Sequence, residues 1–167
     1  VHHPLALEPG LSAAQAADMA ARERANLGRA RHIVVTSGHI AGLLREAYGV
    51  APERISVARP GFVAPRANAM PDVPPLILSV GLLARRKGHD VLLRALARIA
   101  DLDWRAVIVG RLHEPETVAE LQGLRDALGL VERVEIAGEV SQSDLDALYG
   151  RATVFALATR YEGYGIV

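Results

Sequence analysis

A short basic segment carries the clearest chemical signal in this 167-residue chain. Three consecutive cations, Arg85, Arg86 and Lys87, lie between Gly81 and Gly88, and a helix is expected to begin just after them. Cations are unfavourable at a helix N-terminus, where the helix dipole is already positive. A bound anion would relieve this conflict by accepting hydrogen bonds from backbone N–H groups and side chains. The pattern favours a diphosphate, and a solvated basic turn is the alternative.

The residue types and their spacing limit the kinds of ligand that this turn could bind. Lys87 is the only lysine among 19 basic residues, and a compact ammonium group suits closely packed phosphate oxygens. The turn matches neither the GxGxxG fingerprint nor a Walker A loop. Ordinary dinucleotide binding and P-loop phosphoryl transfer are therefore poorly supported.

A second candidate segment occupies residues 160–167. Its glycines, Gly163 and Gly165, predict an open turn that leads into a helix with N–H groups available at its start. Glu162 would then lie at the mouth of a cleft. A solvated loop charge is the alternative interpretation of this carboxylate.

Two adjacent histidines, His2 and His3, stand at the start of the chain. Neighbouring residues of a regular element cannot both face one metal ion, and no histidine or carboxylate follows them at three or four residues. We therefore expect no metal site here, and a tag-like or surface role is the default for this pair.

The overall composition excludes several classes of protein. Half of the residues are hydrophobic and 23% are charged, as in a chain that folds. The formal net charge is zero, which argues against a nucleic-acid partner. The absence of cysteine excludes disulfides, iron–sulfur clusters and a thiol nucleophile. Because the chain begins at Val1 and ends in an apolar run, it is expected to be a fragment of a longer protein.

The first third of the sequence predicts a helix, a strand, a helix and a strand. Ser12 and Gln15 form a capping-box pattern, and Ser37 can cap the second helix, which stops near Gly49. Five prolines between Pro60 and Pro75 then indicate a stiff linker. We expect residues 1–63 to be the end of one domain, residues 64–75 a linker, and residues 76–167 an incomplete second domain.

After the linker, apolar strands alternate with amphipathic helices. The predicted strands are residues 76–80, 105–109, 134–137 and 153–157, and a helix from His89 to Ala100 is expected to bury Val91, Leu92, Leu96 and Ile99. Such alternation predicts a parallel sheet covered on both faces. Ligands of such sheets bind beyond the carboxyl ends of the strands, where Gly81, Gly110 and Gly138 stand.

Taken in order, these segments resemble the donor-binding domain of a family 4 (group 1) retaining glycosyltransferase with the GT-B fold. The resemblance rests on Leu78-Ser79-Val80-Gly81, Arg85-Arg86-Lys87-Gly88, Val107-Ile108-Val109-Gly110, Ile136-Ala137-Gly138-Glu139-Val140 and Glu162-Gly163-Tyr164-Gly165-Ile166-Val167. The first third resembles the family through Val1-His2-His3-Pro4, Val35-Thr36-Ser37 and Arg59-Pro60-Gly61-Phe62-Val63. It implies an α/β fold with two Rossmann-like domains, of which the chain holds the end of the first and part of the second.

The resemblance also implies a set of site residues. The residues that it implies bind the donor diphosphate are Gly81, Arg85, Arg86, Lys87, Gly165, Ile166 and Val167. The residues that it implies contact the nucleotide or the sugar are Gly110, Gly138, Val140, Gly163 and Tyr164. Glu162 resembles the first Glu of the family's E-x7-E motif, which contacts the donor sugar. His2 resembles the active-site histidine, with His3 as the runner-up.

The implied reaction is transfer of a sugar from a nucleotide diphosphate sugar to a saccharide, lipid or small-molecule acceptor, with retention of configuration and without a metal. No cofactor is implied, because the nucleotide sugar is a substrate. Many members carry Arg where this chain has Leu82, and the second Glu of the motif would fall beyond Val167. The alternatives are a non-catalytic nucleotide-sugar-binding module and a GT-B-type epimerase. This fragment alone is expected to be inactive. Its expected location is the cytoplasm, with peripheral contact at the inner face of the plasma membrane through a missing N-terminal region as a further option.

Overall fold

The structure is a computed structural model that describes residues 1, 3–8, 10–61, 70–112, 115–165 and 167. The chain forms two compact units. The first unit contains residues 1–62 together with 161–166, and the second contains residues 63–160 together with 167. Two of the predicted site residues, His2 and Ile166, lie outside the described residues.

The first unit has the predicted order of elements: α1 (Ala13–Arg29), β1 (Ile33–Val35), α2 (Gly38–Tyr48) and β2 (Ile55–Val57). The capping box is confirmed, since the Ser12 hydroxyl accepts from the backbone N–H of Gln15 while the Gln15 side chain accepts from that of Ser12. Gly49 ends α2 in the left-handed region with φ of 68°. Local caps therefore set the boundaries of both helices.

The core of the first unit lies between these helices and a two-stranded parallel sheet. Strands β1 and β2 pair in parallel, with Ile33 opposite Ile55. The buried side chains of this core are Leu27, Ile33, Val35, Ile40, Leu44, Tyr48 and Val50. They recur at helical spacing on α2 and at alternate positions on β1, as amphipathic elements require.

The second unit contains a four-stranded parallel sheet formed by β3 (Leu76–Val80), β4 (Arg105–Val109), β5 (Val134–Gly138) and β6 (Val154–Phe155). The spatial order of the strands is β5-β4-β3-β6. The chain thus moves outward from β3 to β5 and then returns to the other side of β3. Strand β6 is shorter than the segment 153–157 that the sequence predicted.

The helices of the second unit are α3 (His89–Ala97), α4 (Pro115–Ala127) and α5 (Gln142–Arg151). The predicted inward face of α3 was partly wrong, because Val91 and Ile99 are 43% and 37% exposed. The buried residues are His89, Leu92, Leu93 and Leu96. These four follow the i, i+3, i+4, i+7 spacing of one helix face, and that face brings His89 into the core.

The main core of this unit surrounds the only tryptophan of the chain. Trp104 is 3% exposed, and its indole N–H donates to the carbonyl oxygen of Ile99 at 2.7 Å. The guanidinium of Arg133 lies 4.1 Å from the Trp104 ring centroid, a cation–π contact. Trp104 fluorescence therefore reports on the folding of this unit.

None of the helices in the described part of the chain is long and apolar enough to cross a membrane.

Candidate functional site

The strand order of the second unit determines where a ligand can bind. Strands β4 and β5 lie on one side of β3 and β6 lies on the other, so the order reverses between β3 and β6. In open parallel sheets, ligands bind at this switch point, in the crevice beyond the carboxyl ends of the strands. The loops that leave those two strands are residues 81–88 and residues 156–160.

Three of the predicted glycines meet at this edge. The N–H of Gly110 donates to the carbonyl oxygen of Gly138 at 2.8 Å, and the N–H of Gly81 donates to that of Val109 at 2.9 Å. A Cβ added at Gly110 would lie 1.7 Å from the carbonyl oxygen of Gly81. Glycine at position 110 therefore allows the loop after β3 to lie directly against the loop after β4.

The basic loop runs alongside the loop that follows β4. The N–H of Leu83 donates to the carbonyl oxygen of Arg111 at 3.0 Å, and Leu83 pairs with Leu112 in a parallel bridge. Residues Arg85–Lys87 then form one 3₁₀ turn. Gly88 ends that turn in the left-handed region with φ of 65°, and α3 begins immediately afterwards. The three cations are thus placed at the N-terminus of α3, as the sequence indicated.

The three cationic side chains differ in their surroundings. Arg85 is exposed and forms a 2.6 Å ion pair with Glu120 of α4, whereas Arg86 is half-buried. Lys87 is only 6% exposed. A Cβ added at Gly81 would lie 3.2 Å from the Lys87 Cδ atom, so the aliphatic stem of Lys87 covers this glycine. Lysine is rarely buried to this extent in proteins unless its ammonium group is paired.

Sequence reasoning missed the part played by His89. Its side chain is 2% exposed, and its Nε2–H donates to the carbonyl oxygen of Leu82 at 3.2 Å. The Nδ1 atom is buried and has no hydrogen-bond partner among the described residues. Burial lowers the pKa of His89 below its ordinary value of 6.5, and the charge of Lys87 lowers it further. A neutral imidazole therefore supports the basic loop through its hydrogen bond to Leu82. In the sequence, the only sign of this role is the position of His89 directly after Gly88.

Glu162, the residue predicted to contact the sugar, belongs to a segment of the first unit. Glu162 is half-buried, and a Cβ on Gly165 would lie 3.7 Å from its Cγ atom. Gly163 is buried, and its carbonyl oxygen accepts from the Ser37 hydroxyl at 2.8 Å. Tyr164 is 40% exposed. Residues 161–165 have an irregular backbone outside any helix.

His3 packs against the same segment. Its Nε2 atom lies 2.6 Å from the Glu8 carboxylate, and its ring meets the Tyr161 ring edge-on at 5.8 Å between centroids. The His39 ring also lies beside Tyr161, at 6.4 Å. Two histidines of the first unit thus flank the residue that precedes Glu162.

The remaining predicted residues belong to the second unit. The Val140 side chain packs with Leu78, Val80 and Val109 in a small apolar cluster. The carbonyl oxygen of Val167 accepts from the Tyr149 hydroxyl at 3.0 Å. Across the described ranges, no group of three or more His, Asp or Glu side chains is gathered in a way that could hold a metal ion.

Comparison with known families identifies this arrangement. The family model for glycosyl transferases, group 1, matches residues 63–167, which is more than half of the chain. The chain belongs to the group 1 glycosyltransferases. Its family segment contains the basic loop, the three glycines of the sheet edge and Glu162.

Curated relatives of this group 1 glycosyltransferase chain cover much of its length. It is 28% identical to mannosylfructose-phosphate synthase of Agrobacterium fabrum, over 80% of the chain and 34% of that protein. It is 29% identical to D-inositol 3-phosphate glycosyltransferase of Thermobifida fusca, over 87% of the chain and 38% of that protein. The chain therefore spans well under half the length of these relatives.

Solved structures agree on the fold. Sucrose-phosphate synthase from Thermosynechococcus elongatus superposes with a TM-score of 0.75 at 24% identity, over 95% of this chain and 42% of that one. Anabaena HepE in complex with UDP and glucose gives a TM-score of 0.74 at 22% identity, over 89% and 44%. With its parallel sheets, the group 1 glycosyltransferase chain has the α/β, GT-B type of fold that the sequence predicted.

Proposed function

We propose that the protein is a family 4 retaining glycosyltransferase, and that this chain supplies most of its donor-binding site. The donor is a nucleoside diphosphate sugar, and the acceptor is a saccharide, lipid or small molecule with a free hydroxyl. The observation that carries the proposal is the basic loop 81–88, which lies at the strand-order reversal with Lys87 buried beside the N-terminus of α3. The donor class is supported by the fold neighbour Anabaena HepE, which was solved in complex with UDP and glucose.

The basic loop is suited to stabilise the leaving group of such a reaction. As the bond from the anomeric carbon to the phosphate oxygen breaks, negative charge accumulates on the departing diphosphate. Fixed cations and helix N–H groups stabilise that charge without reorganising. In the proposal Lys87, with Arg86 or Arg85, and the first N–H groups of α3 take this role, so that no metal ion is needed.

The other predicted residues act on the sugar and on the base of the donor. The sugar passes through an oxocarbenium-like state, as in glycoside hydrolysis. The acceptor oxygen attacks the same face, forms the new bond to the anomeric carbon and gives its proton to the departing phosphate. Glu162 contacts the sugar, the Gly165–Val167 amides hold its oxygens or the phosphate, and the backbone at Gly138 and Val140 faces the base. The role of the active-site histidine is assigned to His2, with His3 as the alternative.

Calorimetry with UDP, GDP and ADP tests the phosphate role. Lys87→Ala is expected to weaken binding of the preferred diphosphate more than about tenfold, or about 1.4 kcal/mol. Arg94→Ala is the matched control, because Arg94 is an exposed cation on the same helix but near its C-terminal end. Equal affinity of wild type and Lys87→Ala, or no diphosphate binding at all, would reject the proposal.

Product analysis with a panel of donors tests the reaction. A glycoside with the donor's anomeric configuration is expected once a suitable acceptor is present. An altered sugar formed without any acceptor would indicate the epimerase instead. Diphosphate binding without turnover on any donor would indicate the non-catalytic binding module.

A further inference from the structure

The loop that follows β6 is hydrogen-bonded to the basic loop. The backbone N–H of Arg160 donates to the carbonyl oxygen of Arg86 at 2.9 Å, and the Thr159 hydroxyl donates to the same oxygen at 3.1 Å. Both contacts are made to the main chain of the 3₁₀ turn and not to its cationic side chains. The turn is therefore positioned by residues more than 70 positions later in the chain.

The Arg160 guanidinium reaches further along the same loop. Its Nη1 donates to the carbonyl oxygen of Arg85 at 2.6 Å and to Asp90 Oδ1 at 2.9 Å. Its Nη2 donates to Asp90 Oδ2 at 2.7 Å. One planar group thus joins the start of the cationic turn to the first turn of α3, and Gly88 lies between the two. A bidentate arginine–carboxylate contact fixes orientation as well as distance.

Arg160 also changes the charge that an incoming anion would meet. Asp90 is in the first turn of α3, where a carboxylate is stabilised by the helix dipole but would repel a diphosphate. The hydrogen bonds from Arg160 lower the pKa of Asp90, so the carboxylate is ionised and paired. Without Arg160, its negative charge would oppose that of the bound phosphates.

We propose that Arg160 is a positioning residue for the donor diphosphate: it holds the backbone of the Arg85–Lys87 turn and neutralises Asp90. This inference rests on the proposed function. Arg160 acts through the turn and through α3, so it is assigned no contact with the donor. Its loss should weaken diphosphate recognition more than it weakens the fold.

A second ion pair in the same unit provides a matched control. Arg151 forms a bidentate contact with Asp72 through Nε and Nη2, at the same 2.9 and 2.7 Å as the Arg160–Asp90 contact, which uses Nη1 and Nη2. Arg151 precedes β6 and Asp72 precedes β3, so this pair lies at the amino ends of the strands. It stabilises the same strands without touching the basic loop.

The experiment compares Arg160→Gln with Arg151→Gln in the purified full-length protein. Arg160→Gln is expected to weaken binding of the preferred nucleoside diphosphate about tenfold while affinity for the corresponding monophosphate changes far less. In steady-state assays the donor KM should rise more than kcat falls. Arg151→Gln should lower the melting temperature to a similar extent and leave the affinity unchanged.

Two further variants separate the two roles of Arg160. Adding Asp90→Asn to Arg160→Gln removes the unbalanced carboxylate and should restore part of the lost affinity, which a double-mutant cycle measures. Arg160→Lys keeps the charge but cannot hold both Asp90 oxygens and the Arg85 carbonyl together, so its affinity should be intermediate. The Lys variant also serves if Arg160→Gln does not fold.

The outcomes distinguish this inference from the proposed function. If Lys87→Ala weakens diphosphate binding but the Arg160 variants behave like Arg151→Gln, then Arg160 is structural only and the inference is overturned. If neither wild type nor any variant binds a diphosphate, the proposed function is itself overturned, and this inference with it.

Discussion

The Cα atom of Gly88 lies against the carbonyl oxygen of Ala158, so closely that an added Cβ would be 1.9 Å from that oxygen. Gly88 ends the cationic turn, and Ala158 follows β6. The two loops at the strand-order reversal are thus in direct backbone contact. The atoms nearest to an added Cβ are the carbonyl oxygen and carbon of Ala158 and the N atom of Thr159. Because all three belong to the backbone, no side-chain rotation can relieve an added methyl group.

Gly88→Ala should therefore destabilise the second unit. The steric overlap with Ala158 adds to the cost of a left-handed φ of 65°, and we expect a loss of about 3 kcal/mol in the free energy of unfolding. Urea unfolding followed by Trp104 fluorescence measures it. Gly123→Ala is the control, since Gly123 is helical with nothing within 4 Å of an added Cβ, and it should gain about 0.5–1 kcal/mol. Equal stabilities for the two variants would contradict the close approach.

His89 should make the stability of the second unit depend on pH. Because burial lowers its pKa in the folded protein, the unfolded chain binds a proton below about pH 6.5 that the folded chain does not. Stability should therefore be fully present above pH 6.5 and be lost as the pH falls toward the folded pKa. His89→Gln keeps a donor for Leu82 and should flatten this dependence, whereas His32→Gln, at an exposed histidine, should not. Parallel curves for wild type and His89→Gln would exclude a neutral buried imidazole.

Tyr48 should stabilise the first unit through its hydroxyl. That hydroxyl donates to Glu23 Oε2 at 2.8 Å, and burial, assisted by Glu23, raises the pKa of Tyr48 to about 12. Tyr48→Phe leaves the carboxylate without this donor and should cost about 1 kcal/mol, measured by native-state hydrogen exchange in α2. Tyr164→Phe, at an exposed tyrosine, is the control. An ultraviolet titration in which every tyrosine ionised near pH 10 would contradict the burial of Tyr48.

Chelation of metal ions should leave turnover of the full-length enzyme intact if the basic loop stabilises the leaving group as proposed. Initial rates of sugar transfer with and without EDTA should agree, because Lys87 and its neighbours supply the positive charge. Lys87→Ala should remain slow under both conditions. A rate that EDTA abolished and added Mg²⁺ restored would assign the charge stabilisation to a metal instead.

Much of the local structure could be predicted from short-range patterns. Ser12 with Gln15, Ser37 and Gly49 identified helix ends correctly, because caps involve residues three or four positions apart. The inward face of α3 was partly wrong at Val91 and Ile99, since an apolar residue at either edge of a helix face can be buried or exposed. Only the packing of Leu92, Leu93 and Leu96 decided its orientation.

The sequence by itself determined the alternation of strands and helices, the glycines at the strand ends and the gathering of three cations before a helix, because each is a property of neighbouring residues. Only the tertiary structure decided that β6 returns beside β3, that the buried His89 contacts the basic loop, and that Arg160 holds that loop from more than 70 positions away. Contacts at such separations depend on which surfaces pack together. The spacing of residues along the chain does not show which surfaces these are.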